Sequence, residues 1–382
     1  MASSTTFDTI VIGVGSMGSA TVCRLAARGR RVLGIEQFSI PHERGSLHGL
    51  SRIIRLAYYE HPSYVPLLRR AYELWRDLQR TVGEQVLHIT GSVDAGPPDS
   101  AVFLGSRRSC ALHDLPHEIL TSAELSRRFP GYRLPGDAMA VFQPEGGFLE
   151  PEKCVKAHVA VARARGAEVH EHEQVLGWEP RGDAVWVRTD RGSYEAGRLV
   201  ITAGAWAGSL IGQLRELAVP ERQVVAWFKA RRPELFTPAR FPVFNLQVDE
   251  GHYYGFPEYD VPGFKIGRYH HLEERVDPDT LDREIHPRDL EVLRVATERY
   301  FPDAAGDALS STACMFTNSP DEHFIIGVDP ADPRVSFAAG FSGHGFKFSS
   351  VVGEIMADLA EQGTTRHDIS LFRPERFARI QR

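Results

Sequence analysis

The N-terminal segment FDTIVIGVGSMGSATVCRLAARGRRVLGIEQF, residues 7–38, constrains the fold more than any other stretch of the chain. An apolar run meets three glycines, small and apolar residues then recur at helical spacing, and a second apolar run ends at Glu36. The glycines are Gly13, Gly15 and Gly18. This order predicts a strand, a tight turn, a helix and a second strand. Such a unit holds a pyrophosphate at the helix N-terminus and a ribose at the acidic residue, so it predicts dinucleotide binding. A glycine-rich turn in another kind of α/β domain is the alternative.

Later segments indicate a second domain within the first. Residues 150–180 predict an amphipathic helix that ends at Gly166 and then a strand, and two further strand-like runs follow. The second of these runs leads into a short stretch where the backbone is expected to approach the cofactor again. That stretch contributes Ala203, Gly204 and Trp206. After Pro220 the pattern changes to scattered strands and long helices through about residue 311.

We therefore predict an α/β (α+β) chain in which a Rossmann-like βαβ domain carries an inserted mixed-sheet substrate domain. A chain of 382 residues is long enough for two domains. The predicted dinucleotide-binding domain comprises residues 1–85, 148–219 and 312–382. The predicted substrate domain comprises residues 86–147 and 220–311.

Charge and motif content leave several other classes of protein without support. A net charge of −6 gives no reason to expect a nucleic acid partner. The four cysteines form no CxxC pair, and HExxH and GxSxG motifs are absent, which argues against disulfide scaffolds, metal sites and serine hydrolases. The first residues lack a basic region followed by an apolar one, and no stretch approaches eighteen uninterrupted apolar residues. A cytoplasmic protein without a membrane segment is expected.

Two arginines follow the second predicted strand, in GSLHGLSRIIRLAYYEHPSYVPL, residues 45–67. Arg52 and Arg55 are three residues apart, so a helical turn would place them on one side. Apolar residues flank both, which favours burial beside an anion over the alternative of two solvated arginines on a surface helix. A guanidinium suits an anion site because its rigid fork gives a carboxylate two parallel hydrogen bonds.

Together these segments resemble the monomeric sarcosine oxidase and N-methyltryptophan oxidase family, which includes pipecolate oxidases and belongs to the D-amino-acid-oxidase-like flavoproteins. The resemblance covers nearly the whole chain. It is carried by GVGSMG with Glu36, GSLHGLSRIIR, YYGFP followed by Lys265, CMFTNSPDEHFII and FSGHGFKFSS, of which the last two are the most specific. It implies an FAD cofactor joined through its 8α-methyl carbon to the thiol of Cys314. An inert buried thiol is the alternative for that cysteine.

The resemblance also implies a role for individual side chains. The implied catalytic residues are Lys265, Arg52, His48 and Tyr254. The implied substrate-binding residues are Arg55 and Lys347, which hold the substrate carboxylate, with Tyr254 and His270. The implied cofactor-binding residues are Gly13, Gly15, Ser16, Met17, Gly18, Glu36, Gln37, Ser46, His48, Arg52, Val175, Ala203, Gly204, Trp206, Cys314, Gly343, Gly345, Phe346 and Lys347.

Two of these assignments leave alternatives open. Lys265 is implied near flavin N5, where dioxygen reacts, but its apolar neighbours alternate with it, so a solvated strand lysine is the alternative. His270 and His271 would point to opposite faces of a strand. At most one of them would then reach the substrate, and the two would not form a metal pair.

We predict a covalent FAD oxidase of secondary amino acids that acts as a monomer, with sarcosine as the leading substrate. Oxidation at the N-methyl carbon gives an imine that hydrolyses to formaldehyde and glycine, and the electrons pass to oxygen as hydrogen peroxide. N-methyltryptophan, pipecolate and proline are alternative substrates. An NAD(P)-linked dehydrogenase and a non-catalytic flavin-binding protein are the alternatives of another class. No metal, nucleic acid or membrane is expected as a partner.

Overall fold

The computed structural model describes residues 6–377, which form nineteen strands and eight α-helices. The strands are β1 (Thr6–Ile12), β2 (Val32–Ile35), β3 (Arg52–Ile54), β4 (Leu87–Ile89), β5 (Ser92–Gly96), β6 (Glu118–Thr121), β7 (Met139–Gln143), β8 (Gly147–Leu149), β9 (Glu168–His170), β10 (Val175–Arg181), β11 (Ala184–Thr189), β12 (Ser193–Ile201), β13 (Val219–Phe228), β14 (Val243–Val248), β15 (Gly251–Phe256), β16 (Phe264–Arg268), β17 (Ala308–Asn318), β18 (Ile325–Asp329) and β19 (Asp332–Ala339). The α-helices are α1 (Ser16–Ala27), α2 (Val65–Val82), α3 (Ala101–Leu112), α4 (Ser122–Arg128), α5 (Pro151–Ala164), α6 (Ala207–Leu210), α7 (Pro287–Tyr300) and α8 (Ser349–Gln362).

The first sheet has a parallel centre. Its order is β10-β11-β12-β1-β2-β9, with β19 beside the carboxyl end of β12 and β18 beside β19. The pairings β19-β12, β12-β1, β1-β2 and β2-β9 are parallel. Carboxyl ends of parallel strands meet at one edge of a sheet, so the turns after β1, β2, β12 and β19 converge there. Those turns begin with Gly13, Glu36, Thr202 and Gly340.

The predicted βαβ start is confirmed. β1, α1 and β2 follow one another, and β1 pairs with β2 in parallel. A Cβ on Gly18 would lie 1.8 Å from the carbonyl oxygen of Gly13. The absence of a side chain at Gly18 therefore allows α1 to lie close to the turn before it. On its other side α1 packs against α5 and α8. The predicted helix that ends before Gly166 is also confirmed, as α5, and the strand β9 follows it.

The second sheet is built from two separate stretches of the chain. Its order is β17-β13-β16-β15-β14-β5-β7-β6, in which β5, β6 and β7 come from residues 92–143 and the other strands from residues 219–318. The long helices predicted after Pro220 are wrong, because α7 is the single α-helix that the structure describes between residues 220 and 311. The apolar residues of this segment follow strand periodicity instead, and one face of the sheet packs against α7.

β17 crosses the predicted domain boundary between residues 311 and 312. All of β17 pairs with β13, from Ala308 to Asn318, within the second sheet. On this ground we propose that the substrate domain extends to Asn318. A small third sheet, β3-β8-β4, joins residues 52–54 to residues 147–149. Among residues 6–377 no helix combines the length and the apolar character that crossing a bilayer requires.

Candidate active site

A cavity opens at the edge of the first sheet where its parallel strands end. The turns after β1, β2, β12 and β19 contribute its lining. Most of the predicted cofactor-binding residues line it, namely Gly13, Gly15, Ser16, Met17, Glu36, Gln37, Ser46, Arg52, Val175, Ala203, Gly204, Trp206, Gly343, Gly345 and Phe346. The other four, Gly18, His48, Cys314 and Lys347, are not part of the lining.

The turn between β1 and α1 leaves room for a phosphate at the helix N-terminus. Gly13 has a φ of +84°, and a Cβ there would lie 2.7 Å from the carbonyl oxygen of Thr202, so only glycine fits. Gly15 is the N-cap of α1, and no heavy atom lies within 4 Å of the place that its Cβ would occupy. The unpaired N–H groups at a helix N-terminus attract anions. This end of the cavity therefore fits the pyrophosphate of a dinucleotide.

Glu36 lies where the βαβ unit predicts a ribose contact. Its carboxylate accepts hydrogen bonds from the N–H groups of Val14 at 2.9 Å and Phe38 at 3.2 Å. Burial raises the pKa of Glu36 to about 7, and these backbone hydrogen bonds oppose the shift. A hydroxyl group that donates to Glu36 would favour the carboxylate further. The residues present thus fit an FAD molecule whose ribose lies against Glu36.

Three predicted site residues share one face of the second sheet. Tyr254 on β15 pairs with Gly267 on β16, and Lys265 lies two residues before Gly267 on that strand. β13 joins β16 to β17 in a register that brings Cys314 to the same face. Because side chains alternate along a strand, Lys265, Tyr254 and Cys314 all point away from the α7 side of the sheet.

Lys265 is buried, and all three of its N–H groups have acceptors. Nζ lies 2.5 Å from the carbonyl oxygen of Gly49, 3.0 Å from that of Ser51 and 2.9 Å from the Ser51 hydroxyl. It also lies 4.4 Å from the ring centre of Phe256 and 5.3 Å from that of Trp227. Lys265 is therefore fixed and desolvated, and it is not the solvated strand lysine of the alternative interpretation.

Glu152 and Arg52 provide the charges around Lys265. The Glu152 carboxylate accepts hydrogen bonds from two N–H groups in the loop after His48, whose Nδ1 lies 3.6 Å away. Burial raises the pKa of Glu152, but His48, Arg52 and the backbone N–H groups outweigh it and hold that pKa at about 2. Burial and then the Arg52 charge lower the pKa of Lys265 well below its usual value, whereas ionised Glu152 raises it.

Cys314 is a buried free thiol on β17. Burial raises its pKa, and the positive charges of Arg52 and Lys265 oppose the shift. Phe316 and Thr317, further along the same strand, line the cavity. Cys314 therefore lies close to the cavity wall, which the three other cysteines do not line. These are Cys23, Cys110 and Cys154, which are also buried and free.

Arg55 follows the strand β3, so the helical turn that would have placed Arg52 and Arg55 on one side is not formed. The Arg55 guanidinium is fully buried, and its Nη2 lies 2.9 and 3.0 Å from the two carboxylate oxygens of Glu60. Nε lies 3.7 Å from Oδ1 of Asp94 and has no hydrogen-bond partner among residues 6–377. Nη1 donates to the carbonyl oxygen of Ala57. The predicted carboxylate-binding arginine thus faces two carboxylates of the protein itself.

Lys347 lies near Arg55 but is less fully hydrogen-bonded. Its Nζ donates to the carbonyl oxygen of His344 at 2.9 Å, its one acceptor within residues 6–377. Burial and then the Arg55 charge lower the pKa of Lys347 to about 7, although Glu60 and Asp94 oppose this shift. The structure therefore brings the two predicted substrate-binding cations into one charged cluster, with donors of Lys347 still free.

The predicted alternation of His270 and His271 across a strand is wrong. β16 ends at Arg268, and His270 has a φ of +51° in the turn that follows. His270 Nδ1 lies 3.1 Å from Glu221, and its Nε2 lies 3.0 Å from Glu322. Hydrogen bonds to these two carboxylates raise the pKa of His270 to about 10. His271 is fully buried elsewhere, so a substrate contact by His270 would require the release of one of its carboxylate partners.

Comparison with known proteins agrees with this site. The sequence profile of the family described as FAD dependent oxidoreductase matches residues 8–359. This chain belongs to that family. The monomeric sarcosine oxidase of Streptomyces avermitilis is 46% identical to this oxidoreductase over 98% of the chain and 99% of its own length. The N-methyl-L-tryptophan oxidase of Yersinia pestis is 35% identical over 97% and 99% of the two lengths.

Solved structures share the fold of this FAD dependent oxidoreductase. The open form of NikD, an unusual amino acid oxidase essential for nikkomycin biosynthesis, has a TM-score of 0.84 to it. The two chains are 26% identical, and the superposition covers 97% of each. The predicted two-domain flavoprotein architecture is confirmed by these similarities and by the family match.

The oxidoreductase also has site residues that the sequence patterns did not indicate. Glu60 carries a weak signal, because a carboxylate five residues after Arg55 in an aromatic segment could neutralise it. Glu152 could have been noticed only as an acidic residue in the first turn of α5. Asp94 and Asn245 carry no local signal, because the pairing of β5 with β14 brings them together.

Proposed function

We propose that this protein is an FAD-dependent oxidase of secondary (N-methyl) amino acids and that sarcosine is its leading substrate. Sarcosine, dioxygen and water would give glycine, formaldehyde and hydrogen peroxide. The observation that carries the proposal is the pair of buried cations, Arg55 and Lys347, beside a dinucleotide cavity. The full-length similarity to monomeric sarcosine oxidases supports the choice of substrate and a monomeric state.

The first domain would hold FAD through the turn after β1 and through Glu36. When bound, FAD accepts electrons from the amine carbon and returns them to dioxygen. We propose that Cys314 attaches it as a thioether. Support comes from its place on the face that carries Lys265 and Tyr254, two residues before the cavity-lining Phe316.

Arg55 and Lys347 would bind the substrate carboxylate and so fix the position of the N-methyl carbon. Lys347 has free N–H donors for this purpose. Arg55 is occupied by Glu60, so the substrate carboxylate must displace Glu60 or share the guanidinium with it. In a site with little water both contacts are strong, because a low local dielectric increases the attraction between charges.

Lys265 would serve the reaction with dioxygen. Transfer of one electron to dioxygen produces superoxide, an anion that a fixed ammonium in a water-poor site stabilises more than bulk solvent does. Its three hydrogen bonds to Gly49 and Ser51 hold the ammonium in place before the charge develops. Arg52, which donates to carbonyl oxygens of the same loop, would keep this region positive.

A peroxide-coupled assay over sarcosine, N-methyltryptophan, pipecolate, proline and D-alanine tests the proposed function. We expect the highest kcat/KM for sarcosine, with one formaldehyde formed for each peroxide. A preference for N-methyltryptophan would change the substrate within the class. Reduction of the protein by substrate without peroxide formation would exclude an oxidase, and no reaction with any of the five compounds would exclude the whole class.

The attachment of FAD has its own test. Acid-precipitated protein should remain yellow, whereas Cys314→Ser should release its flavin into the supernatant. Cys154→Ser is the matched control, because Cys154 is equally buried but lies in α5, and it should keep its flavin. Release of free FAD from the fully loaded parent protein would exclude a covalent bond.

A further inference from the structure

One row of side chains crosses the second sheet beyond the residues assigned so far. Gly267 pairs with Tyr254, Tyr254 with Asn245, and Asn245 with Asp94, on four neighbouring strands. Residues paired in this way point to the same face of a sheet, and neighbouring strands lie about 4.8 Å apart. Asn245 and Asp94 therefore extend the face of Lys265 and Tyr254 by about two strand spacings.

The ring of Tyr254 leans away from this extension. A Cβ on Gly267 would lie 2.5 Å from the hydroxyl oxygen of Tyr254, so the phenol covers Gly267. Gly267 lies on the side of β15 opposite to Asn245. The side chain of Tyr254 consequently does not cover its other neighbour in the row.

Asn245 has an acceptor that no group of the protein uses. Its Nδ2 donates to Oδ1 of Asp94 at 2.7 Å, and this fixes the orientation of the amide because a carboxylate only accepts. Oδ1 of Asn245 is then an acceptor, and it has no partner among residues 6–377 although Asn245 is 1% exposed. A buried amide oxygen without a partner is destabilising, so it indicates a missing donor.

Arg55 has an unused donor beside the same carboxylate. Its Nε lies 3.7 Å from Oδ1 of Asp94, the oxygen that accepts from Asn245. Ser106 donates to the other oxygen of Asp94 at 2.6 Å, so both carboxylate oxygens already accept a hydrogen bond from a side chain other than Arg55. The free acceptor of Asn245 and the free Nε donor of Arg55 thus belong to two side chains that both contact Oδ1 of Asp94.

A hydroxyl group is the smallest group that satisfies both atoms, because it donates one hydrogen bond and accepts others. An ammonium group on the substrate could donate to Asn245, but the positive charges of Arg55 and Lys347 would repel it. We propose that Asn245 and Arg55 form a subsite for a hydroxyl group on the substrate, so that the enzyme oxidises a secondary amino acid with a hydroxyl-bearing substituent more efficiently than the analogue that has a methyl group in place of the hydroxyl. This proposal rests on the proposed function, since Arg55 and Lys347 must hold the substrate carboxylate next to the subsite.

Matched pairs of substrates test the subsite in the parent protein. N-methylserine and N-methyl-α-aminobutyrate differ by a hydroxyl in place of a methyl group on the α-carbon substituent, and both enantiomers would be used. N-hydroxyethylglycine and N-propylglycine differ in the same way on the nitrogen substituent. In the peroxide-coupled assay we expect kcat/KM to be about tenfold or more higher for the hydroxyl member of at least one pair, as for a buried hydrogen bond that is otherwise unmade.

Asn245→Leu then assigns the preference to the amide. It keeps the size of the side chain and removes the acceptor, so the ratio within the preferred pair should fall to near one. Ser106→Ala is the matched control, because it removes the other donor to Asp94 and leaves Oδ1 of Asn245 in place, and the ratio should persist.

If the parent oxidises sarcosine but shows no hydroxyl preference in either pair, Asn245 holds only a resident water and the subsite is excluded. A preference that survives Asn245→Leu excludes it too. If the parent oxidises neither sarcosine nor any member of the pairs, the proposed function itself fails.

Discussion

Lys265 and Lys347 are both buried ammonium groups beside the cofactor cavity, but their hydrogen bonds differ. Lys265 donates all three N–H groups to Gly49 and Ser51. Lys347 donates one, to His344, and shares a cluster with Arg55 and Glu60. A donor that is already used cannot bind a substrate, whereas its charge still acts on a nearby anion. This difference supports the proposal that Lys265 acts through its electric field and Lys347 by direct contact with the substrate.

The surrounding charges differ in the same sense. The charges near Lys265 belong to Arg52 and Glu152, and Glu152 is held by backbone N–H groups. Near Lys347, the Glu60 carboxylate is paired with the Arg55 guanidinium. If Arg55 binds the substrate carboxylate as proposed, Glu60 holds that position in the free protein, whereas the groups around Lys265 are complete without substrate.

The largest expected effect is on the Lys347 side. Arg55→Ala should weaken the binding of acetate, measured from the change in flavin absorbance, by about 2–5 kcal/mol, because Glu60 and Asp94 also lose their partner. Binding of dimethylamine, which has no carboxylate, should change much less. Glu60→Gln removes the competing carboxylate charge and should tighten acetate binding. Equal losses for acetate and dimethylamine in Arg55→Ala would show a structural role and would remove the contrast between the two regions.

The next effect is on the Lys265 side. Lys265→Met keeps much of the side-chain length and removes the charge, so reoxidation of the reduced flavin in stopped-flow experiments should slow by about 10²–10³-fold. Anaerobic reduction by substrate and the affinity for acetate should change far less, since no donor of Lys265 is free for substrate. Reoxidation within a few-fold of the parent rate would place the oxygen site elsewhere.

The smallest effect is a pH dependence that only one lysine should show. The free protein has a Lys347 pKa of about 7, and the carboxylate binds the ammonium form. The dissociation constant of acetate should therefore be nearly constant between the pKa of acetic acid and pH 7, and rise by about tenfold per pH unit above pH 7. Lys347→Met should abolish this rise, whereas Lys265→Met should keep it. A rise that persists in Lys347→Met would assign the titration to another group.

Local sequence patterns predicted the cofactor region well. A strand, a glycine turn and a helix are set by neighbouring residues, so Gly13, Gly15 and Glu36 could be placed before the fold was known. The edge where the strands of the first sheet end then follows from their parallel pairing. The same reasoning correctly placed Lys265 on a strand. It could not show whether Lys265 is buried or solvated, because burial depends on which parts of the chain cover that face of the sheet.

Local sequence patterns gave the wrong backbone conformation where that conformation depends on residues distant in the chain. Spacing alone was compatible with a helical turn from Arg52 to Arg55, but Arg52–Ile54 is a strand because it pairs with Gly147–Leu149. The strand alternation expected at His270 is absent because β16 ends at Arg268. His270 lies in the turn that follows, where its imidazole contacts the carboxylates of Glu221 and Glu322. The partners of both segments lie about 50 residues or more away in the chain, so a local sequence pattern does not indicate them.

The sequence by itself determined the dinucleotide turn, the two-domain organisation and the identity of the candidate lysines, arginines and cysteine, because each depends on local pattern or on a continuous motif. Only the tertiary structure decided which partners those groups have. The acceptors of Lys265 belong to Gly49 and Ser51, which lie 216 and 214 positions away, and the acceptor of Asn245 belongs to Asp94, 151 positions away. Glu60, which occupies Arg55, lies 5 positions away. Hydrogen bonds and ion pairs act over a few ångströms in space, so the chain order of two residues says little about whether they meet.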